Sequence, residues 1–228
     1  MVIPFSEGKE VVDKTLENII EWLRTGSPDA KRPIDWDWDV EIIEKKDDEV
    51  SLEAFHPKAY LKLFIVARYD QKLIKLAVDP YYPTKFLDNK DRLYLYYTLL
   101  KFNLEAPLVK ASLIGDDDGV IFLVDLDART LGKEEFNHAL ESLYFSVMAF
   151  VEAFNIKDEV MELYYKYVLE ALADRIEKGE SPEQLVEYLV GKVGLPRPQA
   201  EQIVEEVIHI KRKERSREEK RSILPQSI

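Results

Sequence analysis

Apolar residues near the N-terminus recur every three or four positions, which predicts a helix over about residues 7–24. Its apolar stripe consists of Val11, Val12, Leu16, Ile19, Ile20 and Leu23. Gly26 follows the last turn, as is typical where a helix stops. The stripe indicates that the helix packs against a core.

The segment after this helix, IDWDWDVEII at residues 34–43, alternates apolar and acidic residues. Alternation with period two predicts a strand with one buried and one solvated face. Three further strand-like runs follow, VSLEAFH, YLKLFIVARY and KLIKLAVD. Short polar links join them, so we expect four antiparallel strands arranged as a meander.

The pattern becomes helical again at about residues 90–102. The predicted buried stripe of that helix is Leu93, Tyr96, Tyr97 and Leu100. LVKASLI and VIFLVDLDA then flank GDDDG at 115–119, which predicts a further hairpin. A long helix begins after Thr130, with a predicted buried stripe of Phe136, Leu140, Leu143, Val147 and Phe150.

The C-terminal third is predicted to be helical throughout, with three amphipathic segments. Ser181, Pro182 and Gln184 have the spacing of a capped helix start, with a capping box between the serine and the glutamine. We therefore predict an α+β fold, an antiparallel sheet flanked by helices. An α+β domain would occupy residues 1–155, and a helical C-terminal extension would occupy residues 156–228.

Composition narrows the class of protein. The chain is 46% hydrophobic and 33% charged, with a formal net charge of −12 and no cysteine. Abundant charge, few amide side chains and no cysteine are typical of thermophile proteins. No apolar run approaches the roughly 18 residues that span a bilayer, and the N-terminus lacks a secretory pattern. We expect a cytoplasmic protein, and the negative charge disfavours broad nucleic-acid binding.

A basic segment near the C-terminus departs from that acidic character. KRKERSREEKR, residues 211–221, carries seven basic and three acidic residues, a net charge of +4. A solvated helix end with internal ion pairs explains the segment. A contact with nucleic acid or an acidic partner is the sharper alternative.

The three aspartates of GDDDG invite comparison with a calcium loop. If Gly119 took the sixth position of an EF-hand, Ile114 would take the first and Asp125 the twelfth. The first ligand would then be missing and the bidentate glutamate replaced by a shorter acid. Aspartate and glycine favour hairpin turns, so we predict a hairpin tip without metal.

Other chemistry has little support in the sequence. His56, His138 and His209 lie in separate elements without zinc-site spacing. Nucleotide-binding glycine loops and nucleophile elbows are absent. We predict no catalytic, cofactor-binding or metal-binding residues. One alternative remains, a hydrolase that uses the predicted acidic strand face of Asp35, Asp37, Asp39 and Glu41.

Tyrosines are concentrated on a turn and two of the predicted helices. One helical face cannot bury both Tyr96 and Tyr97 with their neighbours, and exposed tyrosine beside apolar residues is typical of interfaces. Packing in the core is the alternative explanation. Our predicted partner-binding residues are Tyr94, Tyr97, Phe145 and Tyr164.

The segments RLYLYYTLLKFN, GDDDGVIFLVDLD and LGKEEFNHAL form a helix, a hairpin and a helix in order. Over roughly residues 7–155 this order resembles the type III secretion chaperone-like fold, as in the YbjN-like family. The resemblance implies a non-enzymatic, chaperone-like binding protein without a cofactor, acting as a homodimer. It does not identify a client protein. A nucleic-acid adaptor using residues 211–221 is the second hypothesis.

Overall fold

The computed structural model describes residues 5–27 and 30–223, with side chains for residues 8–27, 30–211 and 213. The described residues form six α-helices and a six-stranded antiparallel sheet, so the predicted α+β class is confirmed. None of these helices combines the length and the apolar character needed to cross a membrane.

The sheet contains all the predicted hairpins. Its spatial order is β1-β2-β3-β4-β6-β5, so the strands form a four-stranded meander with the last hairpin added beside β4. The strands are β1 (Asp39–Lys45), β2 (Glu49–Phe55), β3 (Leu63–Arg68), β4 (Leu73–Pro83), β5 (Lys110–Ile114) and β6 (Gly119–Asp127).

The helices lie before, between and after the strands in the chain. They are α1 (Phe5–Arg24), α2 (Asn89–Glu105), α3 (Lys133–Ala153), α4 (Lys157–Glu177), α5 (Pro182–Tyr188) and α6 (Arg197–Ile223). Two hydrogen bonds fix α1 to the sheet region. Thr15 Oγ1 donates to the carbonyl of Ala128 (2.8 Å), and the Tyr69 hydroxyl donates to Asp13 Oδ1 (2.6 Å).

The core consists of side chains that strand pairing aligns across the sheet and of the apolar stripe of α3. Leu52, Ile65, Leu76 and Val124 are aligned across four neighbouring strands, and each is at most 1% exposed. Paired residues of antiparallel strands point to the same face, so these four side chains form one apolar row. The predicted stripe of α3 is buried as expected, from Phe136 to Phe150.

The prediction of a strand over residues 34–38 is wrong. Residues Pro33–Asp35 form a 3-10 turn, and β1 begins only at Asp39. Proline fixes its own φ near the helical value and favours such a turn. The indole N–H groups of Trp36 and Trp38 donate to backbone carbonyls of this loop, at 2.9 and 2.7 Å, which stabilises the irregular path.

GDDDG is the tip of the β5–β6 hairpin, as predicted. Ile114 and Gly119 are paired, and the turn lies between them. Gly115 and Asp118 have positive φ, 75° and 51°. Glycine and aspartate accommodate this left-handed conformation better than most residues, which explains the composition of the turn.

The chain divides into two compact units, Met1–Leu163 and Tyr164–Ile228, whereas the sequence suggested a boundary after residue 155. In the second unit the predicted capping box is present, with Gln184 N donating to Ser181 Oγ (3.3 Å) and Ser181 N donating to Gln184 Oε1 (2.8 Å). The backbone of residues 211–221 belongs to α6. Most of their side chains lie outside the described residues; Lys211 pairs with Glu177 at 2.8 Å.

Candidate functional site

The inner face of α2 packs on the edge of the sheet. Leu95 and Leu99 are its buried side chains. Asn103 extends the sheet by mimicking a strand: its amide donates to the carbonyl of Ala111 (2.9 Å) and its Oδ1 accepts from the Ala111 N–H (2.7 Å). The predicted buried stripe, which included Leu93, Tyr97 and Leu100, is therefore wrong.

The outer face of α2 is apolar and exposed. We call Leu93, Tyr97, Leu100 and Leu104 the α2 stripe; they are 69%, 58%, 70% and 86% exposed. Their spacing of four, three and four residues places them in one line along the helix. A continuous line of exposed apolar side chains on a helix is typical of a surface that binds a partner, so the α2 stripe is a candidate protein-binding surface.

Further exposed aromatic side chains lie beside the α2 stripe. Phe102 of α2 and Phe150 of α3 both contact Phe122, with ring centroids 5.6 and 5.3 Å away, so the two helices cover the same region of the sheet. Tyr94 is exposed and contacts Phe154 near the end of α3. Phe145, 78% exposed, lies on the outer side of α3.

The predicted partner-binding residues thus differ in their placement. Tyr94, Tyr97 and Phe145 are exposed and belong to the first unit. Tyr164 opens the second unit and is only 7% exposed, whereas the adjacent Tyr165 is exposed. Sequence reasoning missed Leu93, Leu100 and Leu104 as surface residues, although their regular spacing was visible in the sequence.

An apolar groove of about 390 Å³ lies at the C-terminal end of α2. The segment Ala106–Val109 forms one wall, and α3 supplies the other. The α3 residues are His138, Glu141, Ser142, Phe145 and Ser146. Most of this lining is apolar or small, so the groove suits an apolar side chain better than a charged ligand.

Charged residues mark the two ends of the α2 stripe. Lys90 is exposed at the start of α2, and Glu105 is exposed at its end. The ammonium group of Lys101 lies 5.3 Å from the ring centre of Tyr97, a cation–π contact that keeps part of the stripe beside a positive charge. The apolar line therefore has a lysine near its start and a glutamate near its end.

The loop before α2 is fixed by the GDDDG turn. Thr84 Oγ1 donates to the carbonyl of Asp118 (2.9 Å), and the Lys85 N–H donates to the carbonyl of Asp117 (3.1 Å). Asp88 then caps α2 by accepting from the Asp91 N–H (2.8 Å). Between these fixed points Phe86 is 80% exposed. Its backbone is held while its ring faces solvent.

The four acidic residues Asp35, Asp37, Asp39 and Glu41 do not share one strand face, because β1 begins only at Asp39. Asp35 precedes β1 and forms ion pairs with Arg32 (2.7 Å) and Lys133 (2.9 Å). These hydrogen bonds, that of Arg32 first, lower the pKa of Asp35 below its ordinary value, which is opposite to the shift a general acid needs. Among the described residues, no group of three or more acidic, histidine or cysteine side chains could hold a metal ion.

His56 differs from the other two histidines in its burial. It directly follows β2, as a strand-end residue would, and it is fully buried, whereas His138 and His209 are exposed. Its ring packs against both Trp36 and Trp38, at 5.0 and 5.9 Å, and its Nε2 lies 3.5 Å from Asp37 Oδ1. Because no part of the imidazole reaches solvent, we assign the cluster to the core.

The fold and this surface define an α+β protein that presents an apolar helix to solvent. Residues 18–154 match the family described as Domain of unknown function (DUF8183), and the chain belongs to that family. Residues 155–218 match HTH_78, also described as a domain of unknown function. No curated protein sequence matches the chain significantly. Neither family description names a chaperone, so the resemblance to YbjN-like proteins stays a prediction.

Proposed function

We propose that this protein is a non-enzymatic, chaperone-like protein-binding protein that acts as a homodimer joined through α2. The observation that carries the proposal is the α2 stripe, four large apolar side chains exposed in one line. Soluble proteins seldom leave such a continuous apolar surface uncovered unless it binds a partner. A second copy is the partner that the spacing favours.

Antiparallel pairing of two α2 helices makes the stripe complementary to itself. A two-fold axis between Tyr97 and Leu100 places Tyr97 opposite the partner's Leu100. The same axis places Leu93 opposite the partner's Leu104, so every stripe residue meets an apolar counterpart. Self-complementarity of this kind is the requirement for a two-fold homodimer.

The charges at the ends of the stripe support the same orientation. In the antiparallel pair, Lys90 lies within about one helical turn of the partner's Glu105. The pair occurs twice because of the symmetry. A parallel arrangement would place like charges together at both ends, which disfavours it.

A charge-exchange experiment tests the homodimer. Lys90→Glu or Glu105→Lys alone should weaken dimerisation by about tenfold, because two symmetric attractions become repulsions. The double variant should restore most of the affinity, since it exchanges the two signs. Sedimentation velocity over a dilution series measures the dissociation constant. A wild-type protein that stays monomeric at concentrations of roughly 100 µM would refute the proposal.

Binding of other proteins is the second part of the proposal. The net charge of −12 favours basic segments and disfavours non-specific association with acidic ones. Affinity purification from the source cell should enrich proteins with basic, apolar-rich segments, and added salt should weaken their capture. Capture of acidic proteins, or of none, would contradict this part while leaving the homodimer untouched.

The second unit favours one further candidate, a nucleic-acid adaptor. A short helix, a turn at the left-handed Gly194 and a long helix follow one another, the order found in helix-turn-helix proteins, and the second matching family carries the label HTH. The exposed Glu201, Glu205 and Glu206 oppose contact with DNA along the first half of α6, so residues 211–221 would have to supply it.

A mobility-shift series distinguishes this candidate. The full chain should bind duplex DNA with a steep salt dependence, and deletion of residues 211–221 should abolish binding. A variant lacking only residues 222–228 is the control and should bind as before. Salt-independent binding, or none, would remove the adaptor hypothesis.

A further inference from the structure

We infer that Phe86 of each copy inserts into the groove beside the C-terminal end of the partner's α2. This inference rests on the proposed homodimer and adds a second contact to it. Phe86 lies three residues before the start of α2, and the groove begins directly after its end. Antiparallel pairing places the start of one helix beside the end of the other, so ring and groove meet twice.

The ring and the groove match in chemistry and size. Phe86 is 80% exposed on a loop whose backbone is already fixed, so inserting its ring costs little ordering of the chain. A cavity of ~150 Å³ holds a benzene ring, and the groove of about 390 Å³ has room for a phenyl group. Phe145 at the rim offers an aromatic contact.

One pair of opposite charges, a lysine beside Phe86 and a glutamate beside the groove, also favours this contact. Lys85 precedes Phe86 and is exposed, while Glu141 is exposed on the α3 wall of the groove. Inserting Phe86 would bring this lysine close to the acidic wall. The match supports a second copy as the occupant, because ring and cation come from the same loop.

The apolar surface that each copy presents is large enough for a stable dimer. With roughly 150 Å² for each large side chain, the four stripe residues, Phe86 and Phe145 present on the order of 900 Å². A stable interface buries ~800 Å² on each partner. The α2 stripe alone would give about 600 Å² by the same measure, so the ring and its groove bring the interface to the usual size.

Phe86→Ala tests the inference in the full-length protein. The dissociation constant of the dimer should rise roughly thirtyfold, as for an aromatic residue central to an interface. Ile43→Ala is the control, an exposed apolar residue on β1 at the opposite edge of the sheet from β5, and should leave the constant unchanged. Urea unfolding at concentrations well below the dissociation constant, where each variant is monomeric, should be alike in both variants, since neither side chain is buried in the single copy.

The outcomes separate the inference from the proposed homodimer. A monomeric wild-type protein would refute both. A wild-type dimer with an unchanged dissociation constant in Phe86→Ala would overturn the inference alone. Ser142→Trp should block the groove and weaken the dimer as Phe86→Ala does, with little further loss in the double variant. Additive losses would count against a shared contact.

Cross-linking gives a direct test of proximity, because the chain has no cysteine. A Phe86→Cys copy mixed with a tagged Ser142→Cys copy should form a cross-linked heterodimer with a short bifunctional maleimide. Glu44→Cys, an exposed position on the opposite edge strand, replaces Ser142→Cys in the control and should give none. Equal yields from both mixtures would overturn the inference.

Discussion

Replacing Leu100 with lysine tests the α2 stripe at its centre. Leu100 is 70% exposed in the single copy, and complete burial of a leucine side chain contributes ~1.5–3 kcal/mol. Covering the exposed part would therefore contribute about 1–2 kcal/mol. The two-fold axis places two such side chains in the interface. Leu100→Lys should weaken the dimer by about 2–4 kcal/mol, roughly 30- to 700-fold in the dissociation constant.

Sedimentation velocity measures that constant, and urea unfolding checks the fold. Leucine and lysine have similar helix propensities, so the free energy of unfolding of the single copy should hardly change. Ile43→Lys is the matched control, because Ile43 is 55% exposed on β1 and outside the stripe. Leu99→Ala is the opposite case: this buried neighbour should lower the free energy of unfolding by ~2–5 kcal/mol.

The reasoning fails if Leu100→Lys and wild type have the same dissociation constant. It also fails if Ile43→Lys weakens the dimer equally, since association would then depend on general surface hydrophobicity. A fall in the unfolding free energy of monomeric Leu100→Lys, measured well below the dissociation constant of the dimer, would indicate that the side chain belongs to the core of the single copy.

Three further substitutions test the fold. Gly26→Ala should cost ~3 kcal/mol or more of unfolding free energy, because a methyl group there overlaps the backbone of the segment before β1. A methyl group at Gly132 would meet no atom within 4 Å, so Gly132→Ala should change the free energy of unfolding by less than ~0.5 kcal/mol. Asn103→Ala removes two hydrogen bonds to β5 and should cost ~1–2 kcal/mol. The pKa of Tyr69 is raised to about 12, mainly by burial and to a smaller extent by the hydrogen bond to a carboxylate of α1. Its contribution to stability is therefore present below about pH 10 and is lost as the pH rises through about 12.

Urea unfolding measures the stability of these variants and of Tyr69→Phe, and each comparison has its own contrary result. Equal stability of Gly26→Ala and Gly132→Ala would contradict the close backbone approach. An unchanged free energy of unfolding in Asn103→Ala would mean that water replaces the side-chain amide at the sheet edge. Tyr69→Phe should show a smaller alkaline fall in stability than wild type, and an identical fall would assign it to other groups.

The sequence pattern predicted the elements where one period dominates. The α3 stripe was predicted correctly because Phe136, Leu140, Leu143, Val147 and Phe150 recur at one helical spacing, and all five are buried. In α2 large apolar residues occur on more than one side of the helix, so their spacing does not predict which side is buried. Leu95 and Leu99 pack inward instead of Leu93 and Leu100. The choice depends on the sheet edge that α2 covers, which is a tertiary property.

The candidate site was predicted only in part for a related reason. Tyr94, Tyr97 and Phe145 were identified from aromatic clustering, and each is exposed. The groove could not be predicted, because its two walls are about 30 residues apart in the chain and meet only through the packing of α2 and α3. The alternation over residues 34–38 predicted a strand wrongly, because the two indole N–H groups hold this segment as a loop. A pattern of apolar and polar residues does not show which carbonyls those groups bind.

The hydrogen bonds from the loop before α2 to the GDDDG turn have a practical consequence. Tips of surface hairpins are normally the safest places to insert a tag or a reporter domain. Here the turn carbonyls accept from Thr84 and Lys85, so lengthening the turn would release the neighbouring loop as well. A label intended to leave the protein undisturbed belongs on another surface loop, however dispensable the three aspartates look in the sequence.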